Sequence, residues 1–299
     1  WSINVLRRVQ SRGEEHSWAP AKRAAASYIA QFGRLEGMEG LDRGRVLDVT
    51  PIVTARVTGA HEGDDPSRPW GYAGGRPRLG ANVRYGLTSS LTLSATLRPD
   101  FAEVESDASQ AVSDPRQLLY FTEKRPFFLE GAEQFVAPGN LIYTRRIVAP
   151  TEAAKVTGTL AGTQTALLVA RDARTTSLTG DARPLFTWLR TTRTVVKESR
   201  VGLVYTGRED GGASNRVAAV DGRFVFGGVY SVQGLAAVSR TEGGAVEGGS
   251  DDVVQAPMFQ LVAARSGRQL AARYLFTSIA DGFQTASGFI SRDSVARVN

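Results

Sequence analysis

The sequence predicts an all-β protein: an antiparallel transmembrane β-barrel with about twelve visible strands and a long inserted plug-like segment. Two observations predict this fold. Apolar and polar residues alternate along many short segments, and the connections between those segments alternate between short and long. The composition agrees, because 32 glycines and many threonines and valines among 299 residues suit short strands and tight turns.

The alternation defines the predicted strands. In 90–98, for example, Leu91, Leu93, Ala95 and Leu97 share one face, while serines and threonines occupy the other. The same period of two predicts strands over 46–58, 79–86, 90–98, 153–161, 164–171, 184–196, 199–206, 216–226, 229–240, 257–265, 269–277 and 286–298.

The connections indicate a membrane barrel more strongly than the strands do. Short turns are predicted around 87–88, 162–163, 197–198, 227–228 and 266–267, and long loops over 59–78, 99–152, 172–183, 207–215, 241–256 and 279–285. Strict alternation of short and long connections is typical of outer-membrane barrels. A soluble β-sandwich is the alternative, but its loops need not be sorted in this way.

The chain divides into two predicted parts. Residues 1–45 are expected to be the end of an N-terminal β module plus a linker, and residues 46–299 a barrel that is incomplete at its C-terminus. Segment 99–152 is predicted to be an excursion within the barrel. Because the chain opens and closes in strand-like sequence, we expect it to be an internal piece of a longer protein.

Several functions are disfavoured by composition. The chain has no cysteine, which excludes disulfides and thiolate metal sites. Its two histidines, His16 and His61, lie in different segments and support neither a zinc site nor a catalytic triad. The net charge of +6 is interpreted as a solvated surface, and no nucleic-acid partner is expected, because no basic run has interleaved aromatics.

The densest group of carboxylates is Asp100, Glu103, Glu105 and Asp107. Three interpretations stay open: a calcium site, a glycosidase pair, or a structural charge network. We favour the network, and therefore predict no catalytic residue and no cofactor, with calcium as the alternative. Its members would be the four carboxylates with Glu123, Lys124, Arg125, Arg145 and Arg146.

The excursion is expected to fold inward and narrow the lumen. Phe127 and Phe128 follow Pro126 and would pack as its apolar anchor. Five arginines are assigned to the polar, lumen-facing phase of their strands, with acids such as Asp221 as partners: Arg84, Arg98, Arg171, Arg223 and Arg273.

Three blocks within the excursion carry a resemblance to a known family. They are PDF-x-EVE-x-D at 99–107, EKRPFFLEG at 123–131 and YTRRI at 143–147. Over about residues 1–161 the chain resembles an uncharacterised outer-membrane β-barrel family that is found C-terminal to a family 9-like carbohydrate-binding module. The resemblance implies an outer-membrane location, contact with lipid and lipopolysaccharide, and a sugar-binding-like module upstream. It supplies no active site.

The expected function is binding or passage of glycans or other polar solutes through the barrel. One alternative is a glycan hydrolase that uses carboxylates in 100–107. The other is a structural or assembly barrel of a surface complex. Whether the protein is an enzyme, and which proteins it contacts, stay open at this point.

Overall fold

The computed structural model describes residues 2–20, 31–37, 46–55, 57–61, 67, 69–99, 119–180, 182–196, 198–246, 252–267, 269–290 and 293–299. Within these ranges the chain is mostly β-strand, as the alternating polarity predicts. None of the helices in these ranges is long and apolar enough to cross a membrane.

Four short strands near the N-terminus form two small antiparallel sheets of their own. Strand β1 (Ser2–Ile3) pairs with β4 (Gly33–Arg34), and β2 (Leu6–Val9) pairs with β3 (Glu14–Ser17). Neither pair is hydrogen-bonded to the large sheet that follows. Their assignment to an upstream module stays a prediction.

The large sheet has twelve antiparallel strands, and each pairs with the next along the chain except where a hairpin intervenes between the first two. The sheet is not closed, and its edges are β5 and β18. The strands are β5 (Leu47–Thr54), β8 (Arg78–Gly86), β9 (Leu91–Leu97), β10 (Pro150–Leu160), β11 (Thr163–Asp172), β12 (Leu185–Val196), β13 (Ser199–Asp210), β14 (Ala213–Phe226), β15 (Tyr230–Glu242), β16 (Val254–Ser266), β17 (Ala271–Ile279) and β18 (Val295–Val298).

The intervening hairpin was not predicted. Strands β6 (Val57–His61) and β7 (Trp70–Gly74) pair with each other, within sequence predicted as the end of a strand and a long loop. The rings of His61 and Trp70 lie 4.4 Å apart, and cross-strand aromatic contacts of this kind stabilise an isolated hairpin. The predicted strand 46–58 is therefore too long, because its sheet pairing ends at Thr54.

The predicted order of turns is confirmed in the large sheet except after β13. Short turns follow β8, β10, β12, β14 and β16, and longer connections follow β5, β9, β11, β15 and β17. The long loop predicted over 207–215 is wrong, because β13 and β14 extend to Asp210 and Ala213 and only Gly211 and Gly212 join them. At the turn after β10, Ala161 and Gly162 both have positive φ (48° and 74°), as a two-residue type I′ turn requires. Gly227 and Gly228 take the same conformation after β14.

The prediction of a strand over 286–298 is wrong for its first part. Only β18 is extended and paired, whereas 284–290 is irregular. The backbone of this stretch finds other partners: the N–H of Ala286 donates to Asn215 Oδ1 (2.8 Å), and that of Phe289 to the carbonyl oxygen of Asn140 (2.8 Å). A backbone whose polar groups are satisfied in this way has no need of a strand neighbour.

The two faces of the large sheet have different surroundings. Residues 119–149, here called the covering segment, pack with residues 280–290 against one face, the covered face, and the opposite face is the open face. The covering segment contains helix α1 (Pro126–Leu129) and short 3-10 turns at Ala132–Phe135, Pro138–Asn140 and Thr144–Arg146. Two apolar clusters join it to the sheet, one around Phe128 and Trp188 and one around Leu141 and Met258.

Alternation places most of the predicted polar phase on the covered face. Ser94 and Thr96 are buried there, whereas Leu97 is half exposed on the open face. By register, Arg84, Arg223 and Arg273 share the covered face. Arg98 follows the end of β9 in a bend with positive φ.

The assignment of Arg171 to the polar interior phase is wrong. Its neighbours Ala170 and Asp172 are buried on the covered face, so Arg171 lies on the open face, where its Nε is 3.6 Å from Glu152 Oε1. The phase was ambiguous because Leu167 and Val169, which share its face, are as apolar as the buried Leu168.

Gly139 lies where the covering segment packs closely against the sheet. Its φ is +70°, and a Cβ there would lie 2.7 Å from Leu235 Cδ2 and 2.9 Å from Met258 Cε. Gly139→Ala should therefore combine backbone strain of about 1 kcal/mol with overpacking of about 1–3 kcal/mol. We expect a lower guanidinium unfolding midpoint and faster amide exchange in the covering segment.

The matched control for this substitution is Gly162→Ala. Gly162 has a similar φ of +74° but open space around it. Gly162→Ala should therefore lower the unfolding midpoint only by the contribution of backbone strain. Equal losses in the two variants would contradict close packing of the covering segment on β15 and β16.

Candidate functional site

The predicted carboxylate group lies outside the described residues. Asp100, Glu103, Glu105 and Asp107 therefore have no structural account here, nor does the calcium site or glycosidase pair that they could form. Among the described residues, no group of three His, Asp or Glu side chains is arranged to hold a metal ion. The rest of the predicted charge network lies in the covering segment.

Glu123 and Arg125 form the buried centre of that network. The guanidinium donates from Nε to Glu123 Oε1 (2.9 Å) and from Nη2 to Oε2 (2.7 Å), a bidentate pair. Burial alone would raise the pKa of Glu123, but hydrogen bonds from Arg125 and Thr144 and the charge of Arg125 lower that pKa from its ordinary 4.5 to about 2. Glu123 therefore stays ionised at neutral pH.

Arg125 also ties distant turns of the covering segment together. Its Nη1 donates to the carbonyl oxygen of Ile147 (2.6 Å) and its Nη2 to that of Thr144 (2.9 Å). The guanidinium carbon lies 4.2 Å from the centroid of the Phe128 ring. One side chain thus joins α1 to the turn that precedes β10.

Phe127 and Phe128 lie in helix α1 of the covering segment and pack against the covered face. Phe128 is 2% exposed within the apolar cluster, and Phe127 is partly buried beside it, with the ring centroids 5.1 Å apart. Beneath them the ammonium of Lys155, on β10, donates to the carbonyl oxygens of Phe127 and Glu130. Sequence reasoning did not select Lys155, although its position on the polar phase of β10 marked it as facing the covered side.

The remaining predicted cations have separate roles. Lys124 is partly buried, and its backbone N–H donates to Glu123 Oε1 (3.0 Å). Arg145 donates from Nη2 to the carbonyl oxygen of Thr122 (2.8 Å), and its Nε lies 3.9 Å from Glu123 Oε1. Arg146 points the other way and donates from Nε to the carbonyl oxygen of Gly288 (2.8 Å).

Sequence reasoning missed the buried charges of Asp172 and Arg190, and it gave Asp221 other arginines as partners, because the groups that these side chains bind are distant in sequence. The carboxylate of Asp172, at the end of β11, accepts the backbone N–H groups of Val148 (2.9 Å) and Ala149 (2.7 Å). Arg190 and Asp221, both nearly inaccessible to solvent, form an ion pair between β12 and β14. Buried pairs of this kind are costly to break by removal of one partner.

A cavity of about 650 Å³ opens at the long-loop end of the covered face. The covering segment contributes Arg145 and Arg146, the sheet contributes Asp172, Phe186 and Arg208, and the loop after β11 contributes hydroxyl groups. The remaining wall is formed by residues 283–286, Ile290 and Asp293, with Val148 and Val246. This volume lies within the range of about 300–1,000 Å³ that is typical of small-molecule sites.

Comparison with known families gives one match. Residues 67–170 match a domain of unknown function, DUF5916. The matched part runs from the β6–β7 hairpin through β11, so it includes the whole covering segment. No curated protein matches the chain significantly.

The lowered pKa of Glu123 gives a pH-dependent stability. A carboxyl whose pKa is lower in the folded state stabilises that state fully above its ordinary value, and the contribution is lost as pH falls from about 4.5 toward 2. Glu123→Gln should therefore lower the chemical unfolding midpoint clearly at pH 6, and the difference from the unmodified protein should shrink at pH 3. Unfolding curves at both pH values measure this.

Glu133→Gln is the control, since Glu133 is exposed on the same segment. We expect only a small effect from that change at either pH. If the two variants behaved alike, the Glu123–Arg125 pair would have no special part in holding the covering segment.

Proposed function

We propose that the large sheet is the wall of an outer-membrane β-barrel, that the covering segment is its plug, and that the barrel binds or passes glycans or other polar solutes. The observation that carries the proposal is the distribution of charge on the open face. Two further features support it: polar residues on the covered face, and short turns at one end of the strands with long connections at the other end, apart from the two-residue turn between β13 and β14.

The middle of the open face is apolar from β10 to β16. Threonine and glycine interrupt it there, but the two middle rows of cross-strand partners, those of Val156 and Val220, include no charged residue. Arg216 and Arg240 lie in the neighbouring row of Val169, and Arg193 lies in the neighbouring row of Leu261. Val220 and Leu203, paired across β13 and β14, are 54% and 53% exposed. Other members of this apolar band are Ala154, Val156, Leu167, Val169, Leu189, Tyr205, Ala218, Ala236, Val238, Phe259 and Leu261. A soluble monomer seldom exposes so continuous an apolar surface.

Charged residues on the open face are confined to the two ends of the strands. At the long-loop end, Arg171 lies beside Glu152, and Arg216 Nε is 2.8 Å from Glu209 Oε1. At the short-turn end the face carries Arg193 and Arg265. An apolar band between charged rims is the pattern that a bilayer selects, since a charge costs most at its midplane.

Aromatic residues gather at the short-turn rim. Phe224 and Phe226 end β14, and the ring of Phe226 stacks on that of Tyr230 with centroids 5.6 Å apart. Aromatic girdles mark the membrane–water interface of transmembrane barrels. In the proposed orientation, lipid would contact the band, lipopolysaccharide would contact the outer rim, and the cavity would face outward among the long loops.

The covered face suits the inside of a barrel. It buries ionised groups such as Lys155, Arg190 and Asp221, which a lipid-facing surface would exclude. Because the covering segment occupies this face, binding at the long-loop end is favoured over free passage through a wide channel. The upstream sugar-binding-like module that the sequence resemblance implies favours glycans as the solute class.

The membrane location is tested by extraction. The apolar band predicts that the protein requires detergent, fractionates with outer membranes and migrates differently on gels before and after heating. Cell fractionation and electrophoresis of the full-length protein measure these properties. Recovery as a soluble, monodisperse periplasmic protein would refute the barrel.

The band itself is tested by a charge. Val220→Arg should cost about 2–4 kcal/mol of stability in a bilayer, because Val220 lies near the middle of the band. Leu185→Arg is the control, since Leu185 is paired with Arg171 and Glu209 in the charged rim. Unfolding of both variants in vesicles measures the difference. In a soluble protein the exposed Val220 would tolerate the change within about 0.5 kcal/mol, and equal costs would contradict the proposal.

A further inference from the structure

The charged residues that line the cavity at the long-loop end indicate which class of ligand it can bind. Three arginines line it, Arg145, Arg146 and Arg208, against the two aspartates Asp172 and Asp293. Lining cations that outnumber lining acids favour an anionic ligand, because the local potential is positive.

The two aspartates are already engaged with the protein. Asp172 accepts two backbone N–H groups and the hydroxyl of Thr176 (3.1 Å). Asp293 accepts the backbone N–H of Gly282 (3.3 Å). Neither carboxylate forms a salt bridge with a lining arginine among the described residues. These hydrogen bonds fix the positions of both carboxylates, and the lining arginines outnumber the lining acids by one.

The arginines are engaged to different degrees. Arg208 is paired with Asp210, with Nη2 to Oδ2 at 2.9 Å, and Arg145 lies near Glu123. Arg146 is exposed, holds the carbonyl oxygen of Gly288 through Nε alone, and has no carboxylate partner among the described residues. Its two terminal nitrogens are thus the donors that can meet a planar oxyanion in a fork.

The rest of the lining suits a hydroxylated body attached to that anion. The loop after β11 supplies Thr175 and Ser177, and the opposite wall supplies Gln284, as hydrogen-bonding groups. Phe186 and Phe283 supply apolar surface. Side chains of this mixture bind the alternating polar edges and apolar faces of a sugar ring.

We propose that this cavity binds a sugar acid, with its carboxylate held by Arg146 and its hydroxyl groups by the loop after β11. The assignment rests on the proposed function, since it specifies the solute class that the barrel takes. Arg145 and Arg208 add positive charge around the same point, while Arg146 makes the direct contact.

The test is calorimetric titration of the full-length protein in detergent with D-glucuronate, D-glucose and inorganic sulfate. Glucuronate should bind, and glucose and sulfate should each bind at least about 10-fold more weakly, because each lacks either the charge or the sugar body. Equal binding of glucose would overturn the role of the anion. Equal binding of sulfate would overturn the assignment to a sugar acid, and absence of glucuronate binding would overturn the site.

Substitutions locate the binding to the cavity. Arg146→Gln should weaken glucuronate binding at least about 10-fold, and Thr175→Glu, which places an acid in the lining, should also weaken it. Arg174→Gln is the matched control, because Arg174 is exposed close by and does not line the cavity. Equal losses in Arg146→Gln and Arg174→Gln would show a diffuse charge effect and overturn the contact. Heat-modifiable migration of each variant reports the barrel separately, so failure of the site is distinguishable from failure of the barrel.

Discussion

A guanidinium that leaves water must recover its hydrogen bonds from the protein, and Arg125 recovers them from Glu123 and from the carbonyl oxygens of Thr144 and Ile147. The two carbonyl acceptors lie 19 and 22 residues further along the chain. The covering segment must therefore bend back on itself, although it has only one short helix and a few 3-10 turns to hold it. Its position on the sheet follows from this bend, because the bend presents Phe128 and Leu141 to the apolar clusters of the covered face.

The sheet and the covering segment satisfy one another's polar groups. Lys155 and Asp172 point from the strands into the segment, where they meet backbone carbonyl oxygens and backbone N–H groups respectively. An irregular segment leaves many such backbone groups without partners, and burying them unpaired would be costly. Charged side chains on the strands thus take the place that a neighbouring strand takes in regular β-structure. This arrangement explains why the covered face carries ionised groups at its centre.

The strands could be predicted from the sequence because their alternation is regular and several of their turns contain glycine. The turn at Gly211 and Gly212 was instead predicted as part of a long loop, so β13 and β14 are longer than predicted. From β8 to β17 the predicted strands correspond to observed ones, with differences of a few residues at the ends. Prediction failed where both phases were apolar, as around Arg171, and where an aromatic hairpin stood in a glycine-rich stretch, as at Trp70. It also failed at 286–290, where backbone partners come from distant elements.

The candidate site was only partly predictable, for a different reason. The cations of the covering segment were visible as conspicuous motifs, and Glu123 with Arg125 is local enough to be inferred from spacing. Lys155, Arg190 and Arg208 looked like ordinary polar positions of strands. The partners of Lys155 and Arg190 lie 25 to 31 residues away. The register of the sheet brings Arg190 to Asp221, and the docking of the covering segment brings Lys155 to its carbonyl partners. The cavity could not be predicted, because its lining residues come from segments that are far apart in the sequence and have no motif in common.

The order of the strands has a consequence for assembly. Since each strand from β8 to β18 pairs with its successor, the sheet can grow one hairpin at a time through local contacts. The covering segment cannot dock in that order, because its contacts are with residues much later in the chain. Gly139 packs beside Met258, and Arg146 donates a hydrogen bond to Gly288, 142 residues further on. The surface on which the covering segment packs is complete only after β16 and the loop after β17 have folded. The covering segment thus precedes most of the sheet in the chain but docks after the sheet has formed. It must avoid other binding partners while the downstream hairpins form.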